Sequence, residues 1–133
     1  MKTTETLKHG KIPLISEELT DRIIACAIRV HKKLGPGFLE SIYQTALPLE
    51  LLKDGLKVET QKEIKIFYDD KEVGLHRLDL VVEGEVIVEL KTVKEFDDSH
   101  LAQLRSYLKA SGLKVGLLLN FAKAVLKIKR VVG

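Results

Sequence analysis

The chain has a single cysteine, Cys26, in 133 residues, which excludes an intramolecular disulfide and any zinc cluster built on cysteine. Cys26 lies in an apolar run with Ile23, Ile24, Ala27 and Ile28. It reads as a small buried hydrophobe with no cation nearby to make its thiol reactive. Nowhere does the chain approach the ~20 consecutive apolar residues that span a bilayer, so no membrane partner is expected. Met1 to Ile15 holds no apolar stretch of signal-peptide length ahead of a small-residue cleavage site, and the default expectation is a cytoplasmic protein. Internal repeats and low-complexity tracts are also missing, so one compact unit is expected. Charge of one sign is scarce: the formal net charge is +3, too small to announce a nucleic-acid partner by itself. Its distribution says more. Lys109 to Gly133 carries basic residues and no acidic one, while Glu83, Glu85, Glu89, Glu95, Asp97 and Asp98 crowd the stretch before it. Such a pairing suits a phosphodiester held beside a metal ion, and equally a solvated lysine face.

What is present is an ordinary globular balance, 45% hydrophobic and 31% charged residues, in a chain long enough for one domain and too short for two. Residues 1–15 lack periodicity and are expected to form a loose arm ahead of a domain spanning 16–133. Leu19, Ile23, Ala27, Val30 and Leu34 recur at three- and four-residue steps, which predicts a helix capped by Ser16 and stopped by Gly35-Pro36-Gly37. A second helix is expected from Phe38 to Lys53, kinked or broken at Pro48 because proline lacks a backbone N–H. Val58–Tyr68, Val73–Val82 and Val86–Thr92 have strand character. A helix from Ser99 to Ser111 follows, capped by Asp98 or Ser99 and stopped by Gly112. Val115–Asn120 reads as a buried strand, and Val125–Val132 as an edge strand. The expected fold is an α/β sandwich around a mixed sheet.

One hairpin gathers the charged residues. With Glu83-Gly84-Glu85 as a three-residue loop, Val82 faces Val86, Leu80 faces Val88 and Asp79 faces Glu89. Leu78, Leu80, Val82, Val86, Val88 and Leu90 then share an apolar face, while Arg77, Asp79, Val81, Ile87, Glu89 and Lys91 share the other. A one-residue slip would bury Asp79 among aliphatic side chains. The register brings the Asp79 and Glu89 β-carbons to ~5 Å. Two carboxylates that close repel unless a cation lies between them, and hard divalent cations such as magnesium favour oxygen ligands. Lys91 points the same way and is placed to orient an attacking water. The competing reading is an ordinary wet strand surface, but Val81 and Ile87 lie between the charges and argue against it.

Asp79 followed by Val88-Glu89-Leu90-Lys91 resembles the two-part signature of the PD-(D/E)XK nuclease superfamily. Gly37-Phe-Leu-Glu40-Ser-Ile-Tyr43 is similar to the motif that names the GxxExxY protein family within it, and Arg77-Leu-Asp79-Leu and Gly116-Leu-Leu-Leu-Asn120-Phe stand where that family has them. The likeness runs from Leu19 to Arg130. It implies a restriction-endonuclease-like α-β-β-β-α-β core and a metal-dependent nuclease, with Mg2+ or Mn2+ as cofactor and DNA as the substrate. By the same likeness Asp79, Glu89 and the backbone carbonyl of Leu90 are metal ligands, and Glu40 is a further ligand or a supporting acid. Lys91 positions the nucleophilic water, and Gln103 with Tyr107 resembles the QxxxY element of RecB-like exonuclease domains, in which the glutamine supports the site. The proline of the superfamily name is replaced by Leu78.

Bland alternatives stand beside several of these. Glu40 falls in a helix's first turn, where the dipole favours acids. Tyr43 suits packing with a satisfied hydroxyl. Gln103 and Tyr107 border the stripe of Leu101, Leu104 and Leu108, and His76 and His100 lack metal-ligand spacing. Functional alternatives are a non-catalytic nucleic-acid- or protein-binding module, or an RNA or nucleotide phosphodiesterase. A homodimer is a further possibility for a small nuclease cutting duplex DNA.

Overall fold

A computed structural model describes residues 12–133, with side chains from Glu17 onward. The elements are α1 (Ile12–Leu34), α2 (Glu40–Lys53), β1 (Val58–Tyr68), β2 (Lys71–Val82), β3 (Val86–Lys91), α3 (Asp98–Ser111), β4 (Val115–Asn120) and β5 (Lys127–Val132). The strands form one sheet in chain order, β1-β2-β3-β4-β5, antiparallel except where β3 runs parallel to β4. Parallel neighbours need a crossover, and α3 supplies it. The result is a mixed sheet flanked by helices, the α/β core expected. No described helix is long and apolar enough to cross a membrane.

Two hydrophobic clusters hold the layers together. On one face Leu19, Ile23, Ala27 and Val30 of α1 and Tyr43, Leu47 and Leu51 of α2 pack on Leu80, Val82, Val86, Val88 and Leu90. On the other, Leu104, Tyr107 and Leu108 of α3 pack on Leu78, Val81, Ile87 and Leu118. Every residue of β4 is buried, as a strand covered on both faces must be. Gly116 lets α3 come close: a β-carbon there would lie 2.8 Å from Leu104 Cδ1 and 3.0 Å from its Cγ.

Several boundaries differ from those expected. Helix α1 already runs at Ile12, so Ser16 is an internal position and not the cap; residues 1–11 of the expected arm lie outside the described residues. Helix α2 is continuous through Pro48. Proline removes only its own N–H, and Pro48 is buried with Tyr43, Leu47 and Leu51, so packing outweighs one lost hydrogen bond. The cap of α3 is Asp97, whose carboxylate accepts from the Ser99 and His100 backbone N–H groups at 2.9 and 3.2 Å. His100 Nδ1 in turn accepts from Asp97 N at 3.0 Å. This reciprocal box selects Asp97 over Asp98 or Ser99 and gives His100 a local task.

The β2–β3 register matches expectation where the strands pair: Leu80 opposes Val88, Val81 opposes Ile87 and Val82 opposes Val86. The ladder stops there. Leu78, expected beside Leu80, packs instead with Val81 on the α3 face. Between the β1–β2 pairs Thr60–Leu80 and Lys62–Leu78, Gln61 takes a left-handed φ of 51°. Both strands exchange faces across Gln61 and Asp79, so strict alternation fails in β2 at the position that carries its candidate ligand.

Candidate active site

Where β2 and β3 part, each strand's backbone is satisfied by the other strand's carboxylate. Asp79 N donates to Glu89 Oε2 at 2.8 Å, and Leu90 N donates to Asp79 Oδ2 at 2.9 Å. These bonds replace ladder bonds that a regular pair would make, and each fixes its carboxylate through one oxygen. Glu89 is only 4% exposed. Burial, reinforced by the negative charge of Asp79, pushes its pKa up to about 8. Burial also raises that of Asp79, against the Leu90 N–H, the Gln44 amide and the Lys91 charge, which lower it.

Lys91 ends β3 and donates from Nζ to Gln103 Oε1 of α3 at 3.2 Å. Tyr107, one turn beyond Gln103, is buried beside the carboxylates; burial, then the charges of Glu89 and Asp79, raise its pKa. Glu40 comes from the first turn of α2. Its Oε1 accepts from Thr92 N at 3.1 Å and its Oε2 from Gln44 Nε2 at 3.3 Å. Its charge still reaches Glu89 and helps to raise its pKa. The structure therefore brings Asp79, Glu89, Leu90, Lys91, Glu40 and Gln103 to one end of the β2–β3 pair, although Glu40 spends its oxygens on the chain and its own helix.

Two residues with no role in the expectations belong to this framework. Gln44, four positions after Glu40 and so on the same helical face, links Glu40 to Asp79; that spacing was the available signal. Asn120 clamps the segment leaving Lys91: its Oδ1 accepts from Val93 N and Ala122 N, both at 3.1 Å, and its Nδ2 donates to Val93 O at 2.7 Å. Tyr43 holds the turn before α2. Its hydroxyl donates to Gly35 O at 2.6 Å and accepts from Phe38 N at 3.2 Å, while its ring stacks on Phe121 at 4.5 Å. Gly37, at φ 107°, occupies backbone space that glycine fills without strain. The spacing Gly37, Glu40, Tyr43 is thus a turn, an anchor on Thr92 and a tie.

Other charged residues do different work. Of the acidic stretch, Glu83 accepts from Lys57 N at 2.6 Å and Asp97 caps α3, so Glu89 is the member at the site. Lys127 reaches the same end of the sheet, since it pairs with Asn120, which pairs with Lys91. Cys26 does have a cation nearby, Arg29, whose Nη2 donates to its sulfur at 3.1 Å. Burial nonetheless pushes the thiol pKa up, so no reactive thiolate is made there.

A divalent ion fits the donor set in part. Among the described residues no three His, Cys, Asp or Glu side chains form a ready metal cage. Magnesium does not require one: it keeps several waters and is held by one or two carboxylates. A buried Glu89 and a half-buried Asp79, both with raised pKa values, match that demand.

A family model described as the PD-(D/E)XK nuclease superfamily matches residues 17–131. No curated protein matches the chain. Among solved structures, a chain described as "Crystal structure of SSO0001" has a TM-score of 0.55 and 17% identity, over 90% of this chain and 60% of that one. That likeness is one of fold, and this chain spans about three fifths of the other's length.

Proposed function

The chain belongs to the PD-(D/E)XK nuclease superfamily, and on that premise we propose that it is a metal-dependent nuclease acting on DNA. The observation that carries the reading is the opening of the β2–β3 ladder at Asp79 and Glu89, where a half-buried and a buried carboxylate hold each other's strand and Lys91 stands next to them. Asp79, Glu89 and the carbonyl of Leu90 would hold Mg2+ or Mn2+. The ion supplies acidification of water and neutralisation of phosphate charge. Lys91 uses one of its ammonium protons on Gln103 and keeps the others for the attacking water and a phosphate oxygen. Gln103 fixes where that ammonium points. Glu40, through Thr92 N, and Asn120, through Val93, fix the backbone that follows Lys91. Glu40 is accordingly the supporting acid, with direct ligation left to Asp79 and Glu89.

In hydrolysis, water oxygen bonds to phosphorus, the bond to the leaving sugar oxygen breaks, and that oxygen takes up a proton. The test is cleavage of single- and double-stranded DNA with Mg2+ or Mn2+, with and without chelator. Activity that depends on metal and disappears in Asp79→Ala and Lys91→Ala supports the reading. Cleavage indifferent to both substitutions contradicts it.

A non-catalytic binding module draws on one observation, the lack of a ready three-ligand cage among the described residues. Metal-independent DNA binding without turnover would favour it.

A further inference from the structure

Beyond the carboxylates, the β1–β2 hairpin and α3 enclose a groove of about 500 Å³ lined by Ile66, Phe67, His76, Ser106, Lys109 and Ala110. It flanks the candidate site: the His76 ring packs against Tyr107 at 4.9 Å, and the charges of Glu89 and Asp79 act on Tyr107. Along α3, Gln103, Ser106 and Lys109 follow one another at three-residue steps, so they lead along the helix away from Lys91. Lys109 stands about 9 Å along the axis from Gln103.

The lining pairs an aromatic surface with a cation. Phe67 is 58% exposed, a poor position for a residue that only packs. Next to it, the ladder shifts register between Ile66 and Phe67, which turns the hairpin tip locally. Gly74, opposite Ile66 in the ladder, shares the groove face. Its φ is not left-handed, and a β-carbon there would meet Ile66 Cβ only at 4.0 Å. Nothing in the backbone demands glycine at 74, and a side chain there would stand beside Ile66, which lines the groove. Of the hairpin's acids, Glu59, Glu63 and Glu72 are held by Lys62, Arg77 and Lys65, and Asp69 and Asp70 stand at its exposed turn; Lys109 on α3 makes no ion pair among the described residues.

From this we infer that the groove receives unpaired bases of a single-stranded DNA whose phosphate lies at Asp79, Glu89 and Lys91. The inference rests on the nuclease reading and narrows its substrate. Bases within a duplex offer only their edges, whereas a splayed base offers a face that Phe67 stacks on. His76, its ring tilted against Tyr107, lines the groove beside Phe67, and Lys109 meets the backbone phosphate.

Binding separates this from cleavage. A short labelled oligonucleotide, and the same sequence as a duplex, are titrated with the intact chain in chelator, so that nothing is cut. The single strand binds at least about tenfold more tightly, and Phe67→Ala weakens it by about tenfold, as stacking on one base requires. The duplex affinity is unchanged by that substitution. Phe67→Trp retains binding, Gly74→Leu weakens it by placing a bulky side chain beside Ile66, and Lys109→Gln lowers the slope of log affinity against log salt by about 0.7. A loss of threefold or more on the single strand in Phe67→Ala supports the groove. A smaller loss, a duplex bound as tightly as the single strand, or no binding of either overturns it. If these contrary results accompany metal-dependent cutting by the intact chain, the nuclease reading stands and only the groove falls. If the groove binds as described and nothing is cut, the nuclease reading fails instead.

Discussion

The two ends of the β2–β3 pair are built from the same strands and behave oppositely. At the end near Glu83-Gly84-Glu85, three opposed pairs, from Val82–Val86 to Leu80–Val88, close a regular ladder of buried aliphatic residues. One residue further on, at Asp79 and Glu89, the ladder is replaced by carboxylates bonded to backbone N–H groups. The closed end lowers its energy by removing hydrocarbon from water. The open end holds a buried Glu89 and a half-buried Asp79, both with raised pKa values, which costs stability unless a cation arrives. Stability and chemistry are therefore separated by one turn of pleat.

The largest expected effect is at the open end. Lys91→Ala lowers cleavage by about a thousandfold or more, equivalent to about 4 kcal/mol of barrier, while the melting temperature hardly changes. Next, Leu80→Ala at the closed end lowers unfolding free energy by about 3 kcal/mol, read by denaturant titration. An equal cost for both substitutions in both assays would erase the distinction between the ends. Third, Mg2+ or Mn2+ at a hundredfold excess over its Kd raises stability by about 2.7 kcal/mol, and Asp79→Ala abolishes the gain.

A pH series sharpens the third prediction. Glu89 moves from its ordinary 4.5 to about 8 in the folded chain. Between those values the folded state keeps a proton that the unfolded state has lost. Its contribution to stability is full below pH 4.5 and is lost as pH rises through 8. The metal-free chain thus loses stability across that window, and Glu89→Gln flattens the slope. The smallest effect is expected for Gln103→Ala, which frees Lys91 from its partner and slows cleavage by about tenfold.

Much of this was legible in the residues. Period-four and period-two patterns located every helix and strand to within a few positions, and the Val82–Val86 register followed from parity alone. Asp79, Glu89 and Lys91 were legible because charges interrupt an otherwise apolar hairpin. Three things were not. The exchange of faces at Gln61 and Asp79 left no mark on the pattern, because Leu78 is apolar and satisfies either face. Asn120 looks like the polar end of a buried strand, and its clamp on Val93 is a contact between residues far apart in sequence. Pro48 signals a break by local rules, and tertiary packing overrides it.

Calorimetric titration of the intact chain with Mn2+, set beside Asp79→Ala and Glu89→Gln, tests the central claim most directly. One saturable site in the parent chain, lost in both variants and accompanied by proton release near neutral pH, is the predicted result. Binding of equal strength in all three, or none in the parent chain, would contradict it.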